Sequence, residues 1–201
     1  MMHWNLPGLL SALRYSLLSP RDAIRQVIDS DPPMVARWIA LLLVAIASTF
    51  LMLLSLAPVP AAELPPTLLW ALGSPLGLAV IHAVMLLVSV HLLYRLGRFR
   101  NGRGSFADSL TVLVWFQIIM LVVQAAQLAV QVALPPLAFP AYVAGMVLFF
   151  WLLTNFVAEL HGFASLGMTF FGILLALAVL ILLLGFGLVL VLAATGGVPA
   201  P

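Results

Sequence analysis

Four glutamines, Gln117, Gln124, Gln127 and Gln131, stand in an otherwise apolar stretch. At about 100° per helical residue they fall within a single arc of roughly 80°. An amide stripe on one helix face can bond to neighbouring helices, or it can line a wetted path for a polar solute. His82 and Asn155, each set in another apolar run, are the groups such a stripe would meet inside a bundle. Interhelical hydrogen bonding is the first reading and a solute or lipid path through the stripe and His82 is the alternative.

The histidines offer a different chemistry. His82 and His91 are nine residues apart, hence about 13 Å apart along one helix and on opposite faces, so they cannot share a metal. His91 and His161 would lie near the same bilayer surface, and a haem between their helices is a third reading, without a neighbouring motif or second layer of ligands to support it. Cysteine is absent, which removes disulfides, thiolate metal sites and cysteine nucleophiles. Ser48, Ser55, Ser74 and Ser89 lack a G-x-S-x-G setting, and no H-E-x-x-H occurs, so hydrolytic chemistry has no sequence support. No enzymatic activity is expected, and no cofactor or metal is assigned.

Charge is concentrated in a few places. The segment Arg100-Asn101-Gly102-Arg103-Gly104-Ser105 joins arginines and glycines to a helix start, which can receive a lipid phosphate or simply be a solvated turn. It lacks the spacing and terminal Lys of a phosphate-binding loop. Glu159 borders the fourth apolar run, and the expectation is that it pairs with one of Arg95, Arg98, Arg100 or Arg103, with His161 nearby. Together with Arg14, Arg21 and Arg25 these residues would form one docking surface for partner proteins or lipid headgroups. A carboxylate merely solvated at the interface is the competing view.

The elements that position these groups follow from composition. Of 201 residues 65% are hydrophobic and only 7% charged, whereas soluble domains carry about 25% charged residues. That excludes a nucleic-acid-binding surface, disorder and an ordinary soluble enzyme. Five apolar stretches, Ala36 to Ala57, Gly73 to Tyr94, Phe106 to Ala133, Ala141 to Ala158 and Met168 to Ala194, can each cross a bilayer, which takes about 20 helical residues. Pro58, Pro60, Pro65, Pro66 and Pro75, then Pro135, Pro136 and Pro140, cut the chain between spans. Ser105 and Asp108 predict a capping box at the start of the third span. Gly162 predicts a helix stop, with a tight hairpin from Phe163 to Gly167.

Arg14, Arg21 and Arg25 precede the first span, Arg37 stands at its very start, and the other four arginines lie between spans two and three. The positive-inside rule therefore predicts a cytoplasmic N-terminus and an external C-terminus. No cleaved signal peptide is expected, because the first apolar run is of spanning length and starts only after some 35 residues. Within those residues Leu6, Leu9, Leu10, Leu13 and Leu17 recur at helical spacing. Ser19-Pro20-Arg21-Asp22 reads as the capped start of a second helix whose Ala23, Ile24, Val27 and Ile28 share a face. Both helices are amphipathic, lying flat on the leaflet or packing on the ends of the bundle. The expected fold is an all-α polytopic bundle: residues 1–35 as cytoplasmic amphipathic helices, 36–194 as five spans, and 195–201 as a short external tail. Pairs of small residues such as Gly73 with Gly77 and Ala141 with Gly145 suit close helix packing and self-association.

Three short motifs carry a family resemblance: Ser19-Pro20-Arg21 before the first span, Gly102-Arg103-Gly104-Ser105-Phe106 opening the third, and Glu159-Leu160-His161-Gly162 closing the fourth. In these the chain resembles the Yip1 family in its bacterial form, across nearly its whole length. The resemblance implies five spans, the orientation just derived and a non-enzymatic membrane protein. The leading functional expectation is an inner-membrane protein that organises or assists the assembly or trafficking of membrane components through its cytoplasmic face. Eukaryotic relatives bind small GTPases of the Rab type and carry a longer cytoplasmic N-terminus, so the shorter segment here does not carry GTPase binding over.

Overall fold

A computed structural model describes residues 6–65 and 72–194; Pro66 and the 195–201 tail of the sequence reading lie outside the described residues. The described chain is helical, with no strand. Two short helices, α1 (Leu6–Leu18) and α2 (Pro20–Asp29), precede α3 (Met34–Leu56), α4 (Pro75–Phe99), α5 (Phe106–Ala133), α6 (Ala138–His161) and α7 (Leu166–Ala194). The last five are each long and apolar enough to cross a membrane. The shortest, α3, has 23 residues and measures about 35 Å at 1.5 Å per residue, more than the roughly 30 Å hydrocarbon layer.

Helix α5 is the centre of the bundle. Half of its apolar window is buried, against 6% for α7, because α5 packs on both sides. On one side Leu110, Leu113 and Val114 meet Leu41, Val44 and Ala45 of α3 and Leu86 and Val90 of α4. On the other, Val112, Trp115, Phe116 and Ile119 meet Leu152, Phe156 and Leu160 of α6, together with Ala12, Leu13, Ile24 and Val27 from the two short helices. Apolar side chains elsewhere on the spans face outward, as they must where the solvent is lipid.

The short helices therefore belong to the bundle, and this resolves the choice between leaflet and bundle for α2. Its apolar residues Ala23, Ile24 and Val27 are at most 3% exposed, so that face is spent on α5 and α6 and is not available to insert into lipid. On α1 the division differs: Ala12, Leu13 and Ser16 are buried, whereas Leu10, Leu17 and Leu18 point outward. Trp115 on α5 donates its indole N–H to Ser16 Oγ at 3.0 Å, and that hydroxyl donates onward to the Ala12 carbonyl at 2.9 Å. This satisfies a buried polar pair while tying α1 to the central span.

The junction of α1 and α2 departs from the expected cap. Ser19 occupies the N-cap position but its side chain caps nothing. Its N–H bonds back to the Tyr15 carbonyl at 2.8 Å and its carbonyl accepts from the Ala23 N–H at 2.9 Å. The helical ladder thus passes through Ser19, and Pro20, which lacks an N–H to contribute, redirects the chain. The cap of α5 does form as the sequence predicts: Ser105 Oγ accepts from the Asp108 N–H at 3.0 Å, and Asp108 Oδ2 accepts from the Ser105 N–H at 3.1 Å. Gly162 ends α6 with φ +71°, a left-handed conformation that glycine adopts without steric cost.

Candidate functional site

The polar residues gather at one end of the bundle, where α4 ends, α5 begins and α6 turns into α7. Helix α4 closes through Asn101 in the left-handed region, φ 59°, which asparagine tolerates better than most residues. The Gly102 N–H then bonds back to the Gly97 carbonyl at 2.8 Å. The resulting loop folds over the end of α6, and the Arg103 N–H donates to the His161 carbonyl at 3.3 Å.

His161 is the centre of this junction. Its side chain is buried at 2% exposure, and Nε2 lies 3.1 Å from the Leu93 carbonyl; since a carbonyl only accepts, Nε2 carries the proton. Three glycines surround the ring. A methyl group added at Gly97 would overlap the imidazole, one at Gly102 would stand 2.6 Å from Nδ1, and one at Gly104 would stand 3.0 Å from Cε1. The Phe163 ring stacks on the imidazole with centroids 5.4 Å apart, and the Arg100 guanidinium lies 5.8 Å from the centroid of that phenyl ring, within cation–π range.

Glu159 pairs with Arg25 of α2 and not with the loop arginines, which corrects the sequence expectation. Arg25 donates from Nε at 2.7 Å and from Nη2 at 2.5 Å to Glu159 Oε1. The carboxylate holds the Arg25 guanidinium above its ordinary range, through the hydrogen bond first and charge second. The physical reason for the partner change is that α2 packs on α6 and covers Glu159, while two of the loop arginines find backbone carbonyls of their own. Arg98 donates to the Gly102 carbonyl at 3.2 Å, and Arg100 to the Met168 carbonyl at 3.2 Å. Arg21, one turn before Arg25, reaches the Phe163 carbonyl at 3.0 Å. Arg14 and Arg95 are exposed and make no ion pair among the described residues. Arg37, counted among the N-terminal charges, is buried at 5% exposure and closes its own turn by bonding to Asp31 Oδ1 at 2.5 Å and the Pro32 carbonyl at 2.7 Å.

The glutamine stripe lies apart from this junction and meets different partners from those expected. Gln124 and Gln131 donate to the Ser48 and Ser55 carbonyls of α3 at 3.4 and 3.3 Å, and Gln127 to the Ala141 carbonyl of α6 at 3.2 Å. Tyr142 donates to Gln131 Oε1 at 3.3 Å. Gly145 makes room for the Gln127 amide, which a methyl group there would overlap. Gln117 is half-buried. His82 stands 3.3 Å from Thr49 Oγ1 on α3, and Asn155 donates to Trp151 of its own helix at 2.8 Å, so neither joins the stripe. The reason is register: the stripe spans the α3–α5–α6 seam, where the amide donors meet backbone carbonyls of α3 and α6.

His91 and His161 are engaged separately. His91 Nδ1 lies 2.9 Å from the Leu87 carbonyl and its ring 5.0 Å from that of Phe106, while His161 is enclosed by glycines. Sequence reasoning missed the part Gly97 and Phe163 take in the junction: only the fold brings Gly97 to His161, and Phe163, two residues beyond His161, was read only as the start of the hairpin.

The three motifs that carry the resemblance thus converge: Arg21 touches the turn after Gly162, Gly102 and Gly104 enclose His161, and Glu159 faces Arg25. A family model for the Yip1 domain matches residues 14–187. No curated protein and no solved structure matches the chain. The family match spans all five apolar helices and this junction, and the chain belongs to the Yip1 domain family of multi-pass membrane proteins.

Proposed function

We propose that this protein works without catalysis, organising or assisting the assembly or trafficking of membrane components through the arginine-rich end of its bundle. The observation that carries the reading is the ion pair of Arg25 with Glu159 together with the bond from Arg21 to Phe163. These attach α2 to the α6–α7 turn beside the 100–105 loop, giving three chain segments one preformed face. A face built this way presents fixed charges to a partner with little ordering cost on binding.

The arginine distribution supports a cytoplasmic position for that face, and the resemblance to the bacterial form of the family supports an inner-membrane location. Other membrane proteins, or a second copy, are the partners proposed. Affinity purification from native membranes compares wild type with Glu159→Gln. The variant is expected to insert at wild-type level yet lose native partners, and retention of every partner at wild-type yield overturns the docking reading.

A further inference from the structure

Two open recesses flank the α6–α7 turn. One, about 420 Å³, is lined by Arg21, Arg25, Arg103, Glu159 and Phe163 among others. The second, about 340 Å³, is lined by Arg100, Arg103, His161, Phe163 and Met168 together with Ser165 and Thr169 at the start of α7. Arg103 and Phe163 line both recesses. The first recess holds three guanidinium groups against one carboxylate, and that carboxylate is already engaged by Arg25. Asp22 and Asp29 act on Arg25 from α2, but they do not line either recess.

Two of these arginines have donors to spare. Arg21 gives an Nη2 N–H to Phe163, while its Nη1, which is not buried, makes no hydrogen bond among the described residues. The exposed Arg103 bonds only through its backbone among the described residues. A recess with surplus guanidinium donors and net positive charge matches a phosphate, whose oxygens take forked donors. The start of α7 adds the positive end of its helix dipole, the Met168 and Thr169 N–H groups there being bonded to Ser165.

Depth decides the source of that phosphate. The turn joins two spanning helices, α6 and α7, so it lies where headgroups lie, and exposed Met168 in the second recess offers an apolar wall next to the charge. We infer that the two recesses around Arg103 form a binding site for the phosphate headgroup of an anionic phospholipid. The site rests on the docking face proposed above and names one ligand of it.

The test uses the full-length protein in detergent and a fluorescent phosphatidylglycerol at low salt, with phosphatidylcholine and inorganic phosphate as competitors. Saturable binding is expected, resisted little by phosphatidylcholine or by millimolar inorganic phosphate. Arg103→Ala and Arg103→Gln are expected to weaken it by about tenfold, as loss of a charge-assisted bond does, with the unfolding midpoint unchanged because that side chain supports no internal bond. Glu63→Gln, an exposed charge change in the α3–α4 connection that lines neither recess, should bind as wild type. Equal competition by phosphatidylcholine, full displacement by inorganic phosphate, or wild-type affinity in both Arg103 variants would each overturn the site. No partner protein is present in this assay, so its failure leaves the Glu159→Gln purification to decide the docking reading independently.

Discussion

Arg25 and Glu159, 134 residues apart in the chain, meet through two donors on one carboxylate oxygen. Their side chains differ in exposure, 59% for Arg25 against 16% for Glu159, so the pair sits at the rim of the junction with the carboxylate on the inner side. Such a pair orients elements more than it stabilises them. What holds α2 in place is the burial of Ile24 and Val27, each of which contributes about 1.5 to 3 kcal/mol.

Charge reversal at this pair separates orientation from stability. Arg25→Glu should lower the thermal unfolding midpoint slightly in low salt and hardly at all in high salt, since an exposed interaction is screened. The double exchange Arg25→Glu with Glu159→Arg should restore the low-salt value. A large, salt-independent loss in the single variant would show that the pair is more deeply involved than its exposure indicates.

Glycine substitutions should have opposite signs at two positions. In a helix interior alanine is favoured over glycine by about 1 kcal/mol. At Gly97 that gain is outweighed, because the added methyl meets a buried imidazole held by the Leu93 carbonyl, and overpacking costs roughly 1 to 3 kcal/mol. Gly97→Ala is therefore expected to destabilise, less so when combined with His161→Ala. Gly167→Ala, with nothing within 4 Å of the added methyl, should be neutral or stabilising in the same chemical denaturation assay.

On the seam between α3 and α5, Gln124→Leu removes one long bond, 3.4 Å to the Ser48 carbonyl. A single interhelical bond is worth about 0.6 kcal/mol, so little loss of stability is expected. If the stripe serves packing, Gln124→Cys should resist water-soluble thiol reagents from both sides. Rapid labelling would favour a wetted path.

Orientation is checked with the same chemistry. The chain lacks cysteine, so Arg100→Cys should be labelled only from the cytoplasm and Glu63→Cys only from outside. Both native side chains are exposed, and reversed labelling would invert the proposed topology and move the docking face to the other side of the membrane.

The five spans, the capping box at Ser105 and Asp108, and the stop at Gly162 were legible in the chain alone. Each depends on residues within a few positions of one another: apolar runs of spanning length, a side chain reaching its own helix start, a glycine free to adopt positive φ. The partners of Glu159, the enclosure of His161 by Gly97, Gly102 and Gly104, and the seat of α2 against α6 were decided only by tertiary structure. A spanning helix shows which residues share a face but leaves open which neighbour that face meets, because lipid-facing and protein-facing positions are both apolar. Arg25 displaced four nearer arginines as the partner of Glu159 for that reason: packing of Ile24 and Val27 set the place of α2, and the charges followed.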